Sequence, residues 1–186
     1  MNSKHLLALA FALLLAPTVV HAQGGDPLLR DPEKKGGKFD SSKVTYLTAW
    51  PKPQKKEQIT TDLDRVVKAS IPEMAEGGHQ GLVAEGTAAV PFVLERYGRE
   101  KDDEVLARLK AVLMEITKPE QTRLLAQDFA HKDVLHRTFA LWRCAAWPDA
   151  QIKPLAEAAW AKVVKQGEKA DADERYAAAL CTTASG

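Results

Sequence analysis

The sequence predicts an all-α fold, a short right-handed α-solenoid of about three helix pairs behind an irregular N-terminal arm. Three observations predict it. From about residue 58 onward, apolar residues recur at helical spacing. The segments between these stripes are short and carry Pro, Gly or Asp, which stop, cap or turn a chain. After Trp50 no alternation of apolar and polar residues runs long enough for a strand.

Residues 1–22 read as a secretory signal. Lys4 gives a basic start, and Leu6–Val20 is an apolar run broken only by Pro17 and Thr18. Val20 and Ala22 put small residues at the −3 and −1 positions of a cleavage site before Gln23. The run is shorter than the ~20 apolar residues of a bilayer span, so no span is expected once the signal is cut. The expected location is periplasmic or extracellular. Cleavage removes Lys4 and leaves 25 basic against 25 acidic residues. A chain with no net charge lacks the basic footprint of a nucleic-acid binder, so no nucleic-acid partner is expected.

Residues 23–57 read as an irregular arm or linker. Gly24–Gly25–Asp26–Pro27 and Lys35–Gly36–Gly37–Lys38 are turn chemistry. Val44–Trp50 forms one short extended piece at most, ended by Pro51 and Pro53, with Tyr46, Leu47 and Trp50 available to dock on the domain.

Residues 58–186 form the helical domain. Ile59, Leu63, Val66 and Val67 share one helix face. Gly77–Gly81 reads as a turn; it lacks the Gly-Lys-Ser/Thr that would grip a phosphate. Leu82–Arg99 reads as a helix interrupted at Gly86 and bent at Pro91. Asp102 or Asp103 caps the next helix, whose stripe is Val105, Leu106, Leu109, Val112, Leu113 and Ile116. Pro119 opens the following helix, with Leu124, Leu125 and Phe129 on its apolar face. Val134, Leu135, Leu141, Trp142 and Ala145 stripe another, stopped by Pro148. Asp149–Lys165 comes next and ends at Gly167, and Asp171 opens the last.

A repeat runs through these elements. The stripe at 105, 106, 112, 113 and 116 returns at 134, 135, 141, 142 and 145, a constant shift of 29. An acid, an Arg four residues on and an Ala three further travel with it: Glu104–Arg108–Ala111, Asp133–Arg137–Ala140 and Asp171–Arg175–Ala178. A proline sits in the first helix of each pair, at Pro91, Pro119 and Pro154. One helical hairpin cannot hide its apolar stripe alone, whereas stacked hairpins close a continuous core. The acid caps its helix or meets its dipole. The Arg pairs with that acid, or with the neighbour's acid across the stack.

Glu85–Leu94 (EGTAAVPFVL) followed by Asp103–Leu113 (DEVLARLKAVL) resembles a HEAT repeat, with Gly and Ala-Val-Pro in the first helix and acid, hydrophobe, Arg and Ala in the second. The resemblance is good over 85–117, moderate over 119–147 and loose over 149–185. The second unit lacks the Ala-Val-Pro piece and the third has a longer inter-helix turn. Such a resemblance implies a solenoid and a binding role and does not name a ligand.

Little catalytic chemistry is visible. Cys144 and Cys181 lie nearly level on the second helices of adjacent units, on facing flanks, where an oxidising compartment would favour a disulfide. The other reading is two small buried residues with free thiols. His131 and His136 are five apart, not on one helical face, with Asp133 between them; a polar helix–helix turn is the plain reading and a weak metal site the other. Glu85, Glu95 and Asp128 are carboxylates with nothing in the sequence to mark them. Trp142, Trp147 and Trp160 sit at helical spacing, which suits a core, although a Trp also serves as an anchor in a binding groove.

The expectation is an exported scaffold that binds a protein or peptide, without enzymatic activity and without a cofactor. The last helix, apolar over much of its surface around Tyr176–Cys181, suggests self-association or a continuing solenoid. Two other readings are a non-catalytic N-terminal module of a longer exported enzyme and a small helical metal-binding protein. A converging set of His, Asp and Glu side chains would mark the last.

Overall fold

The computed structural model describes residues 39–186. The expected signal and the first part of the expected arm, residues 1–38, lie outside the described residues. Among the described residues every regular element is helical and none is a strand. The helices are α1 (Lys56–Val67), α2 (Pro72–Glu85), α3 (Val90–Arg99), α4 (Asp103–Ile116), α5 (Thr122–Leu125), α6 (Val134–Ala146), α7 (Lys153–Gln166) and α8 (Ala172–Ser185). Short 3-10 turns join several of them.

The described end of the arm docks on the domain. The Leu47 N–H donates to the Glu120 carbonyl at 2.8 Å. The Arg123 guanidinium lies 4.0 Å from the centre of the Tyr46 ring. Trp50 packs half-buried against the core.

Helix α1 buries Ile59 and Val66, with Leu63 and Val67 partly covered, as their spacing requires. It packs on α2. Here the structure corrects the sequence: Gly77–Gly81 is not a turn but the middle of α2. The reason is packing. A Cβ at Gly78 would meet the Asp62 carbonyl oxygen at 2.5 Å, and one at Gly81 would meet the Asp62 carboxylate at 2.3 Å. Absent side chains let α1 and α2 approach, and tertiary contact overrides the low helix propensity of glycine.

The break at Gly86 is real. Its φ of +57° with ψ of −131° is a backbone that glycine adopts without strain. Gly167 ends α7 the same way, at φ +58° and ψ −131°. Pro91 does not bend a helix; it lies in the first turn of α3, where no intrahelical N–H is missed. Pro72 and Pro154 open α2 and α7 likewise.

Asp102 caps α4, accepting from the N–H groups of Glu104 and Val105, both at 3.0 Å. Glu100, just before, accepts from the N–H groups of Lys101 and Asp102 at 2.7 and 3.0 Å, and these bonds hold its carboxyl below the usual carboxylate range. The expected helix after Pro119 is broken into a 3-10 turn, the four residues of α5, and a second 3-10 turn over Ala126–Ala130. It still buries Leu124, Leu125 and Phe129.

One core runs through the domain. It joins Ile59 and Leu82 to Val93 and Leu113, then to Phe139 and Leu141, then to Val163 and Ala177. Full burial of a side chain such as Leu82 or Leu113 stabilises by about 1.5–3 kcal/mol. Helix α3 packs on both α4 and α6, with Tyr97 edge-on to Phe139 at 5.9 Å between ring centres. Helix α8 packs on α6 and α7.

Candidate functional site

The turn into α6 gathers histidines and carboxylates against α3. His131 ends the 3-10 turn before α6, and His136 lies in the first turns of α6. Five residues apart, they are off one helical face; they meet because His131 stands outside the helix and its ring folds back. The two imidazoles stack with centroids 3.8 Å apart and planes 21° apart. Glu95 reaches in from α3, its Oε2 3.3 Å from His131 Nε2. Asp128 Oδ2 lies 3.3 Å from His136 Nε2. Asp133, at the N-cap position of α6, donates its N–H to His131 Nδ1 at 3.2 Å.

Gly98 makes this meeting possible. A Cβ there would stand 2.9 Å from His136 Cβ and 3.2 Å from Asp133 Cβ. It lies three residues after Glu95, on the same side of α3, so the helix offers a carboxylate and a bare backbone to the same neighbour. His136 is 5 % exposed, and neither of its ring nitrogens has a hydrogen-bond partner. Asp133 Oδ2 is likewise buried without a hydrogen bond. One ligand atom each from Glu95, His131 and His136 lie within 4.8 Å of one another. Sequence spacing picked out His131 and His136 with Asp133 but missed Glu95, which is 36 residues from His131 with nothing local to mark it.

The three repeat arginines take related but not identical positions. Arg108 pairs with Glu104 and donates to the Val66 and Ala69 carbonyls at the end of α1, at 3.3 and 3.4 Å. Arg137 reaches across to α8: its Nε donates to Glu174 Oε1 at 2.6 Å and its Nη2 to Oε2 at 2.8 Å. Its Nη1 donates to the His131 and Lys132 carbonyls at 2.7 and 2.8 Å. Arg175 donates to the Gly167 carbonyl in its own inter-helix turn. Each Arg thus satisfies carbonyls at a helix end. Of the acids, Asp171 caps α8 through the Glu174 N–H at 2.9 Å, whereas the Asp133 side chain makes no cap bond.

Cys144 and Cys181 are both buried and both free thiols, on the packed pair α6 and α8. No bond joins them in this structure. Cys144 Sγ donates to the Thr122 carbonyl at 3.4 Å. Burial, then the neighbouring Cys181, pushes the Cys144 thiol well up. Burial pushes the Cys181 thiol up to about 12. Thiols held protonated in this way are not nucleophiles.

The groove role is corrected for Trp142 and Trp147. Trp142 and Trp147 are 3 % and 2 % exposed and belong to the core. The Arg143 guanidinium stacks 3.8 Å from the centre of the Trp147 ring. Trp160 is partly buried against the core. Tyr176 on α8 stays 57 % exposed while its ring meets Trp142 edge-on at 5.2 Å.

A cleft of about 260 Å³ opens between α2 and α4. Val66, Pro72, Ala75 and Ala111 give it an apolar lining, with Glu76, His79, Glu104 and Arg108 around them. His79 Nε2 lies 2.8 Å from Glu115 Oε2. No helix among the described residues is long and apolar enough to cross a membrane. Comparison with protein-family models, with curated proteins and with solved structures gives no match.

Proposed function

We propose that this chain is an exported helical-repeat scaffold, built of HEAT-like helix pairs, that binds a peptide segment of a partner protein in the α2–α4 cleft. The observation that carries it is the cleft itself, an apolar lining bordered by charge between the second helices of neighbouring hairpins. Three features support the scaffold reading. Each hairpin shares its core with the next. Arg137 ties α6 to α8 across a hairpin boundary. The signature arginines each donate to carbonyls at a helix end. An enzyme built on either thiol is disfavoured, since both are held protonated.

Glu76 and Glu104 are exposed at the border of the cleft, and Arg108 is already engaged by Glu104. The partner segment therefore carries an apolar side chain for the lining and a basic one for Glu76. Selection of displayed random peptides on the purified chain tests this. Enriched peptides should combine Lys or Arg with an apolar residue and lose binding to the Ala111→Glu variant, which fills an exposed lining position. Peptides that bind the variant and the wild type alike would overturn the reading.

A further inference from the structure

We propose that Glu95, His131 and His136 form a binding site for a divalent first-row transition ion such as Zn²⁺. This goes beyond the scaffold reading and does not depend on it.

The donor set is two imidazoles and one carboxylate, the nitrogen and oxygen ligands that suit Zn²⁺, Ni²⁺ or Cu²⁺ rather than Ca²⁺ or Mg²⁺. Around a tetrahedral ion with bonds of about 2.0–2.1 Å, ligand atoms lie about 3.3 Å apart. His131 Nε2 and Glu95 Oε2 already stand at 3.3 Å. The nitrogen of His136 lies within 4.8 Å of both. Closing that gap takes a rotation of His131 out of the stack and a shift of Glu95, which is 41 % exposed and paired with Arg99.

The buried polar atoms point the same way. His136 has no hydrogen bond at either ring nitrogen although it is 5 % exposed. An unpartnered buried imidazole costs free energy that a metal bond would recover. Two carboxylates stand where a bound imidazole needs acceptors. Asp128 Oδ2 is 3.3 Å from His136 Nε2, which leaves Nδ1 for the ion. Asp133 Oδ2, buried without a hydrogen bond, is 3.8 Å from His131 Nδ1. With the ion on His131 Nε2, the ring proton sits on Nδ1, which gives up the bond it accepts from the Asp133 N–H and turns to the Asp133 carboxylate. Carboxylates in these positions fix the tautomer and direction of a ligating histidine.

The ligands come from α3 and from the turn into α6, so an ion would pin two hairpins together. The site also leaves room for water on the ion, since only three protein ligands converge.

The test uses the purified, untagged chain. Isothermal titration with ZnCl₂ and visible absorption with CoCl₂ should show one ion per chain and intense absorption bands of a four-coordinate Co²⁺ centre. His131→Gln changes a side chain at the surface of the turn and leaves the core alone; it should weaken Zn²⁺ binding about 100-fold or more, and Asp133→Asn about 10-fold. His79→Gln, at the separate His79–Glu115 pair, should change it less than about twofold. Circular dichroism confirms that each variant is folded, and His136→Gln is read only if it is. Absence of Zn²⁺ binding at micromolar concentration overturns the proposal, as does binding that survives His131→Gln or is lost with His79→Gln.

Discussion

Arg137 and Glu174 meet as a two-pronged ion pair sealed between α6 and α8, with side chains 6 % and 3 % exposed. Taking two charges out of water is costly, and the pair holds because both prongs are short and the last donor of Arg137 is spent on carbonyls. Removing one partner strands the other. Arg137→Met is expected to lower stability by about 3–5 kcal/mol, measured by urea unfolding. The double variant Arg137→Met/Glu174→Met should recover much of that loss, falling short by about 1–2 kcal/mol because the His131 and Lys132 carbonyls lose their donor. Glu104–Arg108, an ion pair within α4, is largely exposed on the Glu104 side. Glu104→Ala should therefore cost under about 0.5 kcal/mol.

The two neighbouring glycines of α2 should respond in opposite directions to the same change. A Cβ at Gly77 meets nothing within 4 Å, whereas at Gly78 it meets Asp62 O at 2.5 Å, Arg65 Cβ at 2.8 Å and Val66 N at 2.9 Å. Both are helical. Gly77→Ala is expected to stabilise by about 0.5–1 kcal/mol through helix propensity alone. Gly78→Ala forces backbone against backbone and should destabilise by about 1–3 kcal/mol. Thermal unfolding of the two single variants against wild type checks both signs.

These glycines also show where the sequence stopped being legible. Helical periodicity located α1, α4, α6 and α7 because an amphipathic stripe is local information, and Asp102–Asp103 marked the cap that Asp102 makes. Gly77–Gly81 misled because the reason for those glycines is Asp62, on another helix. The place of Glu95 beside His131 and His136 was hidden for the same reason: α3 comes to α6 by tertiary packing, and Gly98 is a signal only once its neighbour is known. Trp142 and Trp147 carried no mark to separate core from groove until their burial was seen.

The buried thiols make a prediction about alkali. Cys181 in the folded chain loses its proton near 12 against 9.0 for a free thiol, and Cys144 is pushed in the same direction. Between those values the unfolded chain holds fewer protons than the folded one, so rising pH favours unfolding. Stability from this source is full below pH 9.0 and declines as pH rises towards 12. Urea midpoints measured across that range should fall more gently in the Cys144→Ala/Cys181→Ala variant than in wild type. At neutral pH both thiols should resist a thiol reagent until denaturant is added, and intact mass should not change on reduction.

Arg123 is the clasp of the docked arm. Its Nε donates to Asp149 Oδ2 at 2.6 Å while its guanidinium lies over the Tyr46 ring. Burial, then the charge of Asp149, raises the Tyr46 hydroxyl above its ordinary value, as expected for a phenol covered at the domain surface. Asp149 also caps the turn before α7 by accepting from the Gln151 N–H at 3.1 Å. Arg123→Ala removes the cation from both partners. It leaves a nearly buried carboxylate with one donor fewer and the Tyr46 ring without its cover, a combined loss of about 1–3 kcal/mol. The loss falls on the arm more than on the core, because the Leu47 N–H bond to Glu120 and the packing of Trp50 are what remain to hold the segment. Limited trypsin digestion should therefore cut the variant at Lys43 well before wild type, while α1 to α8 stay intact. Equal cleavage of the two would mean that Trp50 and Leu47 hold the arm without the clasp.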